Sequence, residues 1–175
     1  RGTSNHTYIG GRDFIFYEYP SGGTGAWQTH DGNPTVRAFN EGENVSIQST
    51  EIVEAIYPLR IMRNEIRPDS GGAGRYRGGC GLVRDVRILT NEARLSVLSD
   101  RNIVPPGGVC GGASGAPNRY TVLRDGSEVK VSDFPGKIAN FALKEGDVVR
   151  IESSGGGGWG RPSDRASDAL DLDAL

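Results

Sequence analysis

Two arginines, Arg75 and Arg77, stand between glycines in the run Asp69–Gly81, DSGGAGRYRGGCG. Paired guanidinium groups over a glycine turn suit a carboxylate, a carbamate or a phosphorylated intermediate, and the backbone amides of Gly71 and Gly72 would add further donors. Asp69 and Ser70 open the turn and complete this candidate substrate-binding set. The same residues also have a purely structural reading: Asp69 and Ser70 can hydrogen-bond the turn they begin, and the arginines can pair across a subunit contact. Two common nucleotide loops are excluded by spacing. A Walker loop needs a lysine after its last glycine, yet the first lysine of the chain is Lys130. The dinucleotide fingerprint, counted from Gly72 and Gly74, needs a third glycine where Arg77 stands.

His30 and Asp31 form a second candidate, since an imidazole beside a carboxylate can hold a metal or move a proton near neutral pH. The only other histidine is His6, so the chain offers no complete metal constellation of its own, and a solvated loop histidine is the alternative. Ser99-Asp100-Arg101 ends a strand-like run and reads as an ion pair supporting the neighbouring loop. Cys80 lies between two glycines and Cys110 just before Gly111; they lack metal-ligand spacing and read as two small buried thiols.

These residues need a scaffold, and composition limits what it is. A chain of 175 residues with 35% hydrophobic content supports one domain with its own core. A net charge of -2 and a pI near 5.7 give no reason to expect nucleic acid or an anionic membrane as partner. There is no apolar span of bilayer length and no signal-like start, so a cytoplasmic location is expected. The 17 arginines against 3 lysines are consistent with base composition as much as with function. Glycine is concentrated, with six residues in 71–81, five in 107–115 and five in 155–160, each cluster flanked by strand-like sequence.

The opening RGTSNHTYIGG has no methionine and reads as an internal cut. Asp13–Tyr19 carries large side chains on both faces and predicts a strand covered on both sides. Ser21–Thr35 is a long turn-rich connection carrying Trp27, His30 and Asp31. Val45–Ile56 reads equally as a strand or a short helix from Ser49. Tyr57–Ile66 and Leu82–Leu89 are extended, the imperfect alternation of the latter suggesting a bulge, and Ala93–Asp100 alternates well enough to predict a hairpin with the strand before it. Asp125-Gly126 joins Tyr120–Leu123 to Glu128–Ser132 as the clearest hairpin signal. Asn140–Glu145 suggests a turn of helix, Val148–Glu152 a last strand, and residues 163–175 an acidic tail, peripheral or disordered. The fold class is therefore mainly β: a sandwich or open barrel of about seven short strands with glycine-rich loops and little helix.

The run YPLRIMRNEIRPDSGGAGRYRGGCGLVRDVRIL resembles the C-terminal part of the hydantoinase B/oxoprolinase family, whose pattern has YPL, then R-x-DSGGAGRxRGG-x-G, then a strand. GGRDFIFYEYPSGGTGA upstream, and LSVLSDRNIVPPGGVCGGASGAPN and EGDVVRIESSGGGGWGRP downstream, are similar to three more of its segments. Together the four blocks run in family order from Gly10 to Pro162. Glu54 matches a glutamate of the pattern. The run VRAFNEGENVSIQST departs from the family's "H-x-TN-x-x-NTP" and leaves the substrate open.

The resemblance implies residues 1–162 as a C-terminal-type domain of a B-type subunit in an ATP-dependent enzyme that opens hydantoin or 5-oxoproline rings. In that setting the domain lines part of the substrate site, makes subunit contacts and is inactive alone. Glu54, Asp100 and Arg101 are implied as structural support. ATP with Mg is implied in a partner A-type subunit, a divalent metal in a more N-terminal portion of the B-type subunit, and no cofactor on this chain alone. A subunit of an acetone- or acetophenone-type carboxylase is the enzymatic alternative. A stand-alone β-sandwich binding module, with Trp27, Tyr76 and Trp159 as stacking platforms, is the alternative of another class.

Overall fold

The structure, a computed structural model, describes residues 3–36 and 47–173. Among the described residues nine strands form two antiparallel sheets packed face to face, with no closed barrel. The first sheet contains β1 (Asn5–Gly10), β2 (Ile15–Glu18), β5 (Arg94–Ser99) and β8 (Lys137–Ala142), in the order β2-β1-β5-β8. The second contains β3 (Leu59–Ile66), β4 (Leu82–Ile88), β6 (Arg119–Arg124), β7 (Ser127–Val129) and β9 (Val148–Glu152), in the order β3-β4-β9-β6-β7. No helix among the described residues is long and apolar enough to cross a membrane.

Alternation along each strand builds the core between the sheets. Ile9, Phe16, Leu95, Val97 and Ile138 point inward from the first sheet, and Leu59, Val86, Ile88, Val122, Val149 and Ile151 from the second. Each such side chain contributes about 1.5–3 kcal/mol on burial. One ionic contact also crosses the interior: Arg84 Nε lies 2.7 Å from Glu18 Oε2, with the arginine side chain wholly enclosed. Tyr120 is buried nearby, its hydroxyl 3.0 Å from Thr7 Oγ1, and burial pushes its pKa well up.

The outer faces differ in chemistry. The second sheet carries cross-strand and neighbouring ion pairs, among them Arg150–Asp85, Arg67–Glu152 and Arg119–Glu128. The first sheet exposes Tyr8, Ile15, Tyr17 and Leu98. Asp13–Tyr19 is therefore covered on one side only: Phe16 and Glu18 face the core while Ile15 is 72% exposed. The large residues that suggested two buried faces instead make an aromatic outer surface, where Tyr8 packs 4.7 Å from Tyr17.

Several other expectations are corrected. Two strands escaped the sequence reading: β1, whose inward residues Asn5 and Thr7 are polar, and β8, where a helical turn was expected from Asn140. Launched from Gly136 at positive φ, β8 pairs with β5 through a register shift, with Asn140 itself at φ 53°. The runs Leu82–Leu89 and Ala93–Asp100 do not form a hairpin, because β4 is flanked by β3 and β9 and the chain crosses to the other sheet. The bulge falls in β3, between Ile61 and Arg63, rather than in β4. The Asp125-Gly126 hairpin forms with both turn residues at positive φ, as a type I′ turn requires.

The ambiguous Val45–Ile56 segment begins outside the described residues and ends as α1 (Thr50–Ile56). There Ser49 accepts the Ile52 amide at 3.4 Å as N-cap. Cys80 is buried, but Cys110 is exposed, since its residue sits at φ 53° in a surface turn.

Candidate functional site

At one end of the sandwich the glycine clusters meet as backbone. Gly155–Gly158 runs through the middle, fully buried, and its contacts repeat every three residues. A Cβ on Gly155 would lie 1.8 Å from Ser70 O, on Gly156 1.8 Å from Thr24 O and on Gly157 1.9 Å from Gly107 O. On Gly158 it would return to the first neighbour, 2.2 Å from Ala73 O. Hydrogen bonds keep the same period: the amide of Gly155 donates to Ala116 O and that of Gly158 to Ala113 O, at 3.2 and 2.9 Å. Three residues per turn with bonds only to neighbouring segments is the geometry of a polyproline-II-type helix, crowded as in collagen, where glycine alone fits.

This packing fixes what the Asp69–Gly81 turn offers to a ligand. Gly72 N donates to Gly156 O at 2.8 Å, Gly78 N to Gly72 O and Gly79 N to Thr24 O, each at 2.9 Å. Buried Ser70 accepts from Gly81 N and donates to Arg67 O, both at 2.8 Å. Ser70 and Gly72 thus hold the turn from inside, while exposed Asp69 adopts φ 53° at its start. What the turn presents outward is its arginine side chains.

Those arginines meet the His30-Asp31 loop. Asp31 Oδ1 accepts the Arg77 amide at 2.8 Å. His30 stacks on Trp27 with ring centroids 5.8 Å apart, and its Nδ1 lies 3.0 Å from Thr29 Oγ1. A third element closes the cluster. After a 3-10 turn at Pro162–Asp164, Arg165 reaches back and donates from both terminal nitrogens to Asp31 at 2.8 and 2.9 Å. The Arg165 hydrogen bond, with help from the Arg77 amide, holds the Asp31 carboxyl below its ordinary value against the opposing effect of burial. Arg165 continues to Asp173 at the end of α2 (Ser167–Asp173), which also lies 3.2 Å from Arg77.

The result is a cavity of about 320 Å³ lined by His30, Asp31, Arg75, Tyr76, Arg165 and Ala166 among others. Arg75 stacks over the Tyr76 ring at 5.6 Å, and Tyr76 lies 6.0 Å from Trp159. Three of the eight candidate residues, His30, Asp31 and Arg75, line this cavity, and Arg77 braces its Asp31 wall. Asp69, Ser70, Gly71 and Gly72 do not line it. Arg165 and Asp173 were not legible as site residues, being one cation and one anion in an acidic tail without a motif.

The supporting residues sit elsewhere. Glu54 on α1 accepts the Ile61 amide at 2.8 Å beside the bulge, and Asp100 accepts the Ser4 amide at 2.6 Å next to Arg101 at φ 57°. A larger cleft of about 580 Å³ lies between the β6–β7 hairpin and residues 130–136 and contains none of the eight. Among the described residues no three of His, Cys, Asp or Glu converge as metal ligands.

The chain belongs to the hydantoinase B/oxoprolinase family, whose model matches residues 1–162. It is 40% identical over 165 residues to an uncharacterized protein of Methanocaldococcus jannaschii, an alignment covering 94% of this chain and 28% of that protein. It is 30% identical over 169 residues to a 5-oxoprolinase of Dictyostelium discoideum, covering 96% of this chain and 13% of that one. The fold is shared with a nucleotide-free acetone carboxylase, with a TM-score of 0.77 at 22% identity over 97% of this chain and 27% of the other. An ATP-dependent caprolactamase of Pseudomonas jessenii gives a TM-score of 0.75 at 23% identity, over 97% and 31% of the two chains. The chain thus spans less than a third of the length of each of these proteins.

Proposed function

We propose that this chain is the β domain of a B-type polypeptide in an ATP-dependent enzyme that hydrolyses a cyclic amide of the hydantoin or 5-oxoproline kind. The observation that carries the reading is the family match across residues 1–162 by a chain much shorter than its relatives. In this role the domain walls one side of the substrate site and makes subunit contacts, while an A-type subunit supplies ATP with Mg. The rest of the B-type polypeptide supplies any metal chemistry, and the complex is cytoplasmic.

His30, Asp31, Arg75 and Arg77 face the reaction space in this reading, and Asp69, Ser70, Gly71 and Gly72 form the turn that carries the arginines. Two guanidinium groups near a cavity of this size suit a carboxylate or carbamate oxygen. Likeness of fold to an acetone carboxylase supports a second reading, a carboxylase subunit.

Reconstitution separates these cases. The complete B-type polypeptide with its A-type partner is expected to open hydantoin or 5-oxoproline only when ATP is present, and the 175-residue chain alone to be inactive. Bicarbonate-dependent product formation from acetone would favour the carboxylase. Ring opening by the isolated chain would overturn the reading of an incomplete catalyst. Arg75→Ala is expected to raise KM more than it lowers kcat if Arg75 binds substrate without touching the reacting bond.

A further inference from the structure

Among the described side chains of residues 162–173, contacts of Arg165 and Asp173 tie the segment to Asp31, Arg75 and Arg77 of the body. The 3-10 turn at Pro162–Asp164 buries no residue, and Leu170 on α2 is 52% exposed. The backbone hydrogen bonds of the segment are local, running from Asp164 to Arg161, from Arg165 to Pro162 and from Leu170 to Ala166. A seven-residue helix is too short to persist unaided in water. What orders it is Arg165, only 7% exposed, clamped between Asp31 of the body and Asp173 of the helix, with Arg77 of the body also on Asp173.

The two arginines converge on a single carboxylate. Arg165 Nε donates to Asp173 Oδ2 at 2.8 Å and Nη2 to Oδ1 at 3.0 Å, while Arg77 Nη1 lies 3.2 Å from the same Oδ1. A forked guanidinium with a second arginine nitrogen beside it is an arrangement by which proteins bind free carboxylates.

We propose that α2 (Ser167–Asp173) forms a charge-held strap over the candidate site, while Arg165 stays clamped to Asp31 of the body. The strap's Asp173 carboxylate is an internal ligand in an anion site made by Arg77 and Arg165. A ligand carboxylate takes that place when the strap lifts, so the strap guards the site against anions unable to displace it. The inference rests on reading Arg77 as a ligand-facing group, but not on which reaction the complex performs.

Hydrogen exchange of the intact protein, read by mass spectrometry, tests it without any activity assay. In Asp173→Asn the amides of 167–173 are expected to exchange about tenfold faster, with the β-strands unchanged. Arg165→Lys, which keeps the charge but loses the double fork, should show the same effect in part. Acetate, compared with chloride at equal ionic strength, should speed exchange of the strap in the wild type. In Asp173→Asn it should instead slow exchange of residues 76–79. Unchanged strap exchange in Asp173→Asn would overturn the latch, and acetate indistinguishable from chloride in both proteins would overturn the anion site. Either failure leaves the proposed reaction standing, since ring opening is measured separately.

Discussion

The two ends of this domain are stabilised by opposite means. In the sandwich, side chains fill the space between backbones, and Ile9, Phe16, Val86 and Val149 interlock at zero or one per cent exposure. In the glycine bundle the side chains are gone and backbones touch, so that Gly155–Gly158 has carbonyl oxygens where its Cβ atoms would be. A side-chain core tolerates exchange among residues of similar volume because rotamers readjust. A backbone core has nothing to readjust. The turn bearing Arg75 and Arg77 is built on the second kind, which gives the candidate site a rigid floor even though it consists of loops.

The sharpest break between the two regions comes from adding one methyl group. Gly156→Ala, placing Cβ 1.8 Å from Thr24 O, is expected to cost more than about 4 kcal/mol or prevent folding, as judged by a urea midpoint. Gly107→Ala belongs to the same bundle, but its Cβ meets nothing within 4 Å, so a change within about 0.5 kcal/mol is expected. On the sandwich side, Ile9→Val should cost about 0.5–1.5 kcal/mol. If Gly156→Ala proved as mild as Ile9→Val, the distinction between the two cores would fail.

A second test concerns the Arg84–Glu18 ion pair inside the sandwich. Glu18→Leu alone strands the enclosed Arg84 and should cost about 3–5 kcal/mol, whereas Glu18→Leu with Arg84→Met removes both charges and should recover most of that loss. Thermal melts of the three variants would check it. Equal loss in the single and double variants would mean that the charge pair has no special standing against ordinary core contacts.

The same contrast explains how far the sequence could be read. Strands with clean inward alternation, such as Leu95 and Val97 in β5 or Val149 and Ile151 in β9, were legible because burial repeats with the pleat. Strand β1 was not, since its inward Asn5 and Thr7 serve hydrogen bonds, Asn5 to Pro20 O and Thr7 to Tyr120. Strand β8 was hidden by its break at Asn140. The glycine clusters were plain in number, yet their three-residue contact period involves four separate segments and exists only once these are brought together. Of the candidate site, the loop and turn could be named from residue type, whereas Arg165 acquires meaning only from where the tail folds back.

The smallest effect should appear at that fold-back, and its pH dependence has a definite sign. The Arg165 hydrogen bond lowers the Asp31 pKa from 3.8, so the ionised carboxylate is favoured in the folded state. Its contribution is therefore complete well above pH 3.8 and disappears as acid titrates Asp31 below that value. Asp31 is 45% exposed, so solvent screening keeps the pair below about 1 kcal/mol, far less than either core substitution. As pH falls from above 3.8 to well below it, Arg165→Gln and wild type should converge in the protection of residues 30–33, the wild type losing its advantage. A gap that persisted at low pH would mean that Arg165 holds this loop by packing and not through the Asp31 carboxylate, which would place the segment with the sandwich's manner of stabilisation.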